Sequence, residues 1–244
     1  MTTLAQAVNH VLKAQKKSEK PLAIILAGHN GSGKSTMWYK HLANQLQIPL
    51  INADRMMMSV LPEVKDSAKL PKWASTLRDK DEGWMHVAQG GVHAFVAQAL
   101  AHKVPFATET VFSHWIEHDD GKIESKIEWI EQMQAAGYYV ILCFVGLSNV
   151  GLSIARVSTR VAAGGHNVSM KKLTHRFPRT QKAIGLAASV ADAAILIDNS
   201  LSLSKAFSVC RVQMLREEIF DVRAELKKPA QAILQWLDIV SPRP

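Results

Sequence analysis

An eight-residue loop restricts the fold of this chain more than any other segment. Residues 28–35 read GHNGSGKS and match the phosphate-binding pattern G-x-x-x-x-G-K-[ST] at every position. The apolar run PLAIILAG at 21–28 precedes the loop, and TMWYKHLANQL follows it. A strand, this loop and a helix in that order form the first unit of a P-loop α/β domain.

The residue types in the loop explain how it would bind phosphate. Glycines let the backbone curl, so that successive N–H groups point at phosphate oxygens near the positive end of the following helix. Lys34 would reach the β and γ phosphates, and the Ser35 hydroxyl would bind the metal. We therefore predict ATP and Mg²⁺ as cofactors. The predicted nucleotide ligands in the loop are Gly28, Asn30, Gly31, Ser32, Gly33, Lys34, Ser35 and Thr36.

Short apolar runs alternate with amphipathic stretches, which is typical of a parallel sheet covered by helices. Strands are predicted at 21–28, 48–53, 104–109, 138–145 and 193–198. Helices are predicted at 81–102, at 122–136 and, in two pieces, between 201 and 237. The expected fold is a P-loop three-layer α/β/α sandwich with a mostly parallel five-stranded sheet, similar to nucleotide kinases. We expect one domain over 1–244, with an N-terminal helix at 1–20, a core at 21–200 and C-terminal helices at 201–244.

Polar side chains lie where the second and third predicted strands end. Asp54 follows the run INA, Glu109 and Thr110 close the next strand, and Ser113 lies just beyond. Ligands of open α/β sheets bind outside the carboxyl ends of the strands. Asp54 is therefore a candidate to accept a proton from an attacking hydroxyl or to help hold Mg²⁺, although it could also cap a helix. The other three are candidate ligands of a polar substrate or of the metal shell, and Asp198 at the end of the last strand is assigned no metal.

Four arginines lie within a short segment around a Gly-Gly-His turn at 164–166. They are Arg156, Arg160, Arg176 and Arg179. The first two are four residues apart on a predicted helix and share a face. Arginines that reach over a bound nucleotide stabilise the charge of phosphoryl transfer, so all four are candidate nucleotide ligands. His166 has two open roles, as a contact to phosphate or substrate or as a residue that orders the turn.

Composition limits the remaining classes. Hydrophobic residues make up 48% of the 244 residues and the formal net charge is +8, which permits a phosphate-bearing ligand or a polyanionic partner. The basic residues are dispersed and aromatics form no stacking series, so a nucleic-acid binder is disfavoured. The sequence shows neither a signal-peptide pattern nor an apolar run long enough for a membrane span. We expect a cytoplasmic protein.

A second catalytic pattern occurs at 114–118, where HWIEH fits the zinc-peptidase pattern H-x-x-E-H. A zinc site of this kind needs a stable helix that aligns both imidazoles and a third ligand. Asp119, Asp120 and Gly121 follow at once and break such a helix. The context therefore disfavours a peptidase.

Four segments in a fixed order resemble the zeta-toxin-like kinases. They are GHNGSGKST after a strand, Asn52-Ala53-Asp54, TETVFS at 108–113 and RVAAGGHNVSMKKLTHRFPRT at 160–180. The resemblance covers residues 21–200. It implies an ATP- and Mg²⁺-dependent toxin-type kinase that phosphorylates a hydroxyl of UDP-N-acetylglucosamine or a related sugar nucleotide, with a possible antitoxin protein as partner. It further implies that Asp54 is the catalytic base, that Lys34 and Arg160 bind the γ-phosphate, and that Glu109 and Thr110 face the substrate.

The residues themselves leave the acceptor open. A nucleoside, a dinucleotide or a small antibiotic would satisfy the same kinase pattern, and an ATPase linked to nucleic acid is a more distant alternative. The first twenty residues could also cover the site in cis.

Overall fold

A seven-stranded sheet forms the centre of the molecule. The computed structural model describes residues 2–63, 70–215 and 217–243. The strands are β1 (Leu22–Gly28), β2 (Leu50–Ile51), β3 (Phe106–Thr110), β4 (Trp115–Glu117), β5 (Ile123–Ser125), β6 (Tyr139–Gly146), β7 (Ala193–Asp198), β8 (Ser208–Met214) and β9 (Glu217–Asp221). The sheet order is β2-β3-β1-β6-β7-β8-β9, and β4 pairs with β5 in a separate hairpin.

Helices connect and cover these strands. They are α1 (Leu4–Ser18), α2 (Lys34–Met37), α3 (Ala43–Leu46), α4 (Ala53–Ser59), α5 (Lys72–Lys80), α6 (Glu82–His102), α7 (Ile127–Ala135), α8 (Val150–Ala162), α9 (Met170–Val190) and α10 (Gln231–Val240). A wider π-helical turn at Trp38–Leu42 joins α2 to α3. Short 3₁₀ turns lie at Leu203–Lys205 and Val222–Ala224.

Five neighbouring strands of the sheet, β2, β3, β1, β6 and β7, are parallel, as the alternating pattern predicted. β1 pairs in parallel with β3 and β6, β2 with β3, and β6 with β7. Every residue of β1, β6 and β7 is buried, because helices pack on both faces and form two hydrophobic clusters. The predicted α/β class with a mostly parallel sheet is confirmed.

The predicted pair of helices between 201 and 237 is wrong. This region contains the antiparallel strands β8 and β9, which bring the sheet from the predicted five strands to seven, and α10 is its one α-helix among the described residues. Both faces of β8 are covered, so Val209, Cys210, Val212 and Gln213 are all buried. These buried positions are i, i+1, i+3 and i+4 along the chain. That spacing is typical of a helix and differs from the strict alternation that indicates a half-buried strand.

One other element differs from the expectation. The predicted helix at 122–136 starts only at Ile127, since Ile123–Ser125 forms β5. Helix α1 packs against the sheet, where its buried residues Ala7, Val8 and Val11 join the cluster on one face. Among the helices of the described residues, none has both the length and the apolar content that crossing a membrane requires.

Candidate functional site

The phosphate loop connects β1 to α2 and is braced from the last parallel strand. Gly31 and Gly33 have φ values of 70° and 91°, a region that glycine adopts without strain. The Asn199 amide, just after β7, donates a hydrogen bond to the Ser32 carbonyl at 2.8 Å. A Cβ on Gly33 would lie 2.8 Å from that amide nitrogen, so a larger residue at Gly33 would push the brace away.

Lys34 lies buried beneath the loop. Its Nζ donates hydrogen bonds to the carbonyls of Gly28 and His29, at 3.0 and 3.1 Å, and is 3.9 Å from a carboxylate oxygen of Glu109. Burial lowers the pKa of Lys34, and Glu109 and Asp54 oppose that shift while Arg160 adds to it. The loop lysine and three predicted site residues therefore share one electrostatic environment.

Glu109, near the end of β3, connects the phosphate loop to the residues that follow β2. The Ser35 hydroxyl donates to both Glu109 oxygens, at 3.1 and 2.9 Å, and the Asn52 amide donates to one of them at 2.6 Å. Asn52 also caps α4 by accepting from the Arg55 N–H. The cap that the sequence allowed at Asp54 thus belongs to Asn52, which leaves Asp54 in the first turn of α4 with its carboxylate exposed.

Asp54 lies near two cations of the site. Its charge raises the pKa of both Lys34 and Arg176, against the burial that lowers each of them. One carboxylate therefore lies near the loop lysine and near a cation of α9. This arrangement suits a group that receives a proton next to a phosphate.

The four arginines have different surroundings. Arg160 donates to the His166 carbonyl at 2.9 Å, and its Nε is buried with no hydrogen-bond partner in the described residues. Arg156 packs beside the loop, since a Cβ on Gly31 would lie 3.1 Å from the Arg156 Cβ. Arg176 forms no hydrogen bond or ion pair within residues 2–63, 70–215 and 217–243, whereas Arg179 donates to the Trp115 carbonyl. Arg179 thus holds β4 against α9, a use the sequence did not predict.

The carboxyl end of β7 also faces Arg156. Asp198 accepts hydrogen bonds from the Ser200 N–H and hydroxyl, at 3.0 and 2.6 Å. Burial raises the pKa of Asp198, while these bonds and the charge of Arg156 oppose the rise. Both of these hydrogen bonds come from the turn that follows β7.

Lys126 is a site residue that sequence reasoning missed. Its Nζ donates to the Thr110 hydroxyl at 2.6 Å and lies 5.0 Å from the centre of the Trp129 ring. Burial, together with the charge of Arg176, lowers the pKa of Lys126 to about 8. The only signal in the sequence was a lysine inside the predicted helix at 122–136, which is usually a solvated residue. Ser113 makes no polar contact with another described residue.

His29 is a second residue that the sequence did not single out. Its ring stacks on Phe177 of α9 at 3.8 Å between centroids, and neither ring nitrogen has a hydrogen-bond partner among the described residues. Burial and the charge of Lys34 lower the pKa of His29 to about 3, so the imidazole is neutral. The stack joins the loop to the helix that carries Arg176.

The H-x-x-E-H segment forms a hairpin strand instead of a helix. His114 and His118 both contact Glu124 on β5, at 2.7 and 3.3 Å, while Glu117 binds Lys182 at 3.2 Å. Within the part of the chain that the structure describes, no group of three or more His, Cys, Asp or Glu residues is placed to hold a metal ion.

Comparisons with known proteins identify the family and the fold. The family model described as Zeta toxin matches residues 8–199. A protein from Haemophilus influenzae (strain ATCC 51907 / DSM 11121 / KW20 / Rd) with no characterised function is 28% identical over 156 residues, which are 64% of this chain and 91% of that protein.

Two solved structures show the same fold at low sequence identity. One belongs to the PezAT chromosomal toxin-antitoxin system of Streptococcus pneumoniae, with a TM-score of 0.53, 11% identity and coverage of 99% of this chain and 89% of that chain. The other is an AvrRxo1-ORF1:-ORF2 structure with ATP, with a TM-score of 0.54, 14% identity and coverage of 98% and 70%. Family and fold together support a P-loop kinase.

Proposed function

Since its matched residues span most of the sequence, this chain belongs to the zeta toxin family, and on that premise we propose that it transfers the γ-phosphate of ATP to a hydroxyl of a small molecule. The observation that carries the proposal is the meeting of Lys34, Asp54 and Arg160 in one electrostatic environment. A loop that binds phosphate without transferring it would not require a carboxylate on the acceptor side.

The proposed reaction needs one proton transfer and one phosphoryl transfer. Asp54 takes the proton from the acceptor hydroxyl as its oxygen bonds to the γ-phosphorus. The bond from the γ-phosphorus to the bridging oxygen breaks, and ADP leaves with that electron pair. Lys34 and Arg160 stabilise the charge on the γ-phosphate oxygens during transfer.

The donor set around Ser35 fits Mg²⁺, which binds oxygen ligands. The Ser35 hydroxyl and the Glu109 carboxylate face each other at hydrogen-bond distance, and Asn52 orients the carboxylate from its other side. We propose that Ser35 and Glu109 hold the metal, which would neutralise phosphate charge when bound. Glu109 would then serve the metal, and Thr110 the substrate.

The cations on the acceptor side favour an anionic acceptor. Arg176 forms no hydrogen bond or ion pair among the described residues, although the charge of the nearby Asp54 carboxylate raises its pKa. Within the same residues, Lys126 contacts the neutral Thr110 hydroxyl and the Trp129 ring face. A second phosphate group on the acceptor would satisfy both cations. This agrees with the sugar nucleotide that the family resemblance implies, UDP-N-acetylglucosamine or a relative of it. A protein partner of the antitoxin type is part of the proposal, because the PezAT neighbour comes from a toxin-antitoxin system.

Mass spectrometry of a metabolite extract incubated with ATP and Mg²⁺ tests the function and identifies the acceptor. We expect one metabolite to gain the mass of a phosphate with the natural protein. Asp54→Asn should lower the rate by about 10² to 10⁴, the usual contribution of a positioned general base. Asp119→Asn, on the exposed turn between β4 and β5, is the matched control and should act at the natural rate. Equal rates for the natural protein and Asp54→Asn would exclude Asp54 as the base.

A further inference from the structure

The Gly-Gly-His turn between α8 and α9 is held by a helix from elsewhere in the chain. Arg78 of α5 donates to the Gly164 carbonyl at 2.8 Å. Its neighbour Asp79 accepts from the Asn167 N–H at 3.3 Å and lies 3.2 Å from His166 Nδ1. Burial alone would raise the pKa of Asp79, but the bonds from Arg78 and Asn167 lower it, so the carboxylate stays charged.

The same turn surrounds the side chain of Arg160. Arg160 donates to the His166 carbonyl at 2.9 Å, and the Gly165 N–H donates to the Arg160 carbonyl at 2.9 Å. A Cβ on Gly165 would lie only 2.6 Å from Arg160 Cγ. The second glycine is therefore needed for the close approach, and the direction of the arginine depends on the position of the turn.

The turn engages one part of the guanidinium and leaves another without a partner. One Nη group is held by the His166 carbonyl, while the buried Nε has no partner in the ranges that the structure describes. The charge of Arg160 also acts on Lys34. An arginine held at one edge and free at another, beside the loop lysine, suits a fixed direction toward phosphate.

We propose that Asp79 is a positioning residue, which holds the 164–167 turn so that Arg160 points at the γ-phosphate. Asp79 lies in the connection between β2 and β3, which also carries Asp54, whereas Arg160 lies after β6. The contact therefore joins the acceptor side of the site to the nucleotide side. The positioning role rests on the proposed function only in naming the γ-phosphate as the ligand of Arg160.

The position of Arg160 can be measured without any nucleotide. We expect resolved ¹H–¹⁵N signals from the Arg160 guanidinium in the natural protein, assigned by their loss in Arg160→Lys. In Asp79→Ala and Asp79→Asn these signals should broaden or average, because the guanidinium then rotates freely. Asp81→Ala, two residues after Asp79, is the matched control. Asp81 caps α6 by accepting from the Trp84 N–H at 2.8 Å, so this variant should lower the melting temperature and leave the Arg160 signals unchanged.

Calorimetric titration with MgATP and MgADP tests the consequence for binding. Arg160→Ala should reduce the preference for ATP over ADP by about tenfold, the effect of one charge-assisted hydrogen bond, and Asp79→Ala should reproduce most of that loss. In the double variant the losses should not add.

Unchanged Arg160 signals in Asp79→Ala, or additive losses in the double variant, would overturn the positioning role. If the natural protein bound neither nucleotide, the proposed function would be wrong, while the guanidinium signals would still decide whether Asp79 holds Arg160.

Discussion

Lys126 shows how one residue can report on the chemistry of the acceptor. Lysine is usually charged and solvated, but Lys126 is packed near Arg176, and its partners among the described residues are a hydroxyl and a ring face. A cation placed beside another cation is unfavourable unless an anion joins them. The residue is therefore better explained by a charged ligand than by the stability of the fold.

We expect the acceptor affinity to depend on pH through Lys126. Its pKa is lowered to about 8, so the folded protein loses this proton as the pH rises through 8, whereas a solvated lysine would remain charged. The KM for the acceptor should increase between pH 7 and pH 9. Arginine stays charged over this range, so the KM of Lys126→Arg should change little, and a parallel increase in both proteins would exclude Lys126 as the cause.

The hairpin of β8 and β9 is held by a buried charge cluster at its end. The Asp221 side chain is fully buried and accepts hydrogen bonds from the Arg223 N–H, Nε and Nη2, the last at 2.6 Å. Arg243 approaches to 3.6 Å from near the end of the chain. Three charged side chains thus connect the added strands to the residues that follow α10.

Removal of the Asp221 carboxylate should destabilise the protein. Asp221→Ala removes the buried carboxylate from Arg223 and leaves it the exposed Asp238, 2.9 Å away; loss of a buried partner costs up to about 3–5 kcal/mol in the free energy of unfolding. Glu218→Gln is the control, since Glu218 pairs with Arg211 at the surface and exposed pairs contribute about 0–1 kcal/mol. Urea unfolding followed by circular dichroism measures both variants, and similar losses would contradict the assignment.

The pH dependence of stability follows from the same carboxylate. Burial alone would raise the pKa of Asp221, but the hydrogen bonds and charges of Arg223 lower it below its ordinary value of 3.8. A depressed carboxylate pKa stabilises the folded state above the unfolded pKa. This contribution should be lost as the pH falls below 3.8 through the folded pKa, and Asp221→Ala should lack it.

At the scale of the whole molecule, α10 closes one face of the sheet against its central strand. Trp236 is 1% exposed and stacks on Phe144 of β6 at 5.8 Å between centroids. Gly146, at the end of β6, lies directly under the indole ring, because a Cβ there would be 2.2 Å from Trp236 Cζ2. The carboxyl end of β6 is thus packed against α10. From this end the chain continues into α8, which carries Arg160.

Gly146→Ala should therefore displace α10 and lower the free energy of unfolding by about 1–3 kcal/mol, the usual cost of overpacking. Gly90→Ala in α6 is the matched control, because a Cβ there meets no atom within 4 Å and alanine favours a helix by about 1 kcal/mol over glycine. Thermal unfolding monitored by tryptophan fluorescence distinguishes the two. A Gly146→Ala protein as stable as Gly90→Ala would contradict the packing argument.

The sequence by itself determined the phosphate loop, the parallel strands and the family, because each depends on residues that are neighbours along the chain. Only the tertiary structure decided which residues surround the loop. Ser35 and Glu109 are 74 positions apart, and Lys126 meets Thr110 only because a hairpin returns the chain to β3. The two-sided burial of β8 also gave it the apolar spacing of a helix. Contacts between distant segments depend on how the helices and strands pack. The spacing of apolar residues within one segment does not indicate which distant segment it will contact.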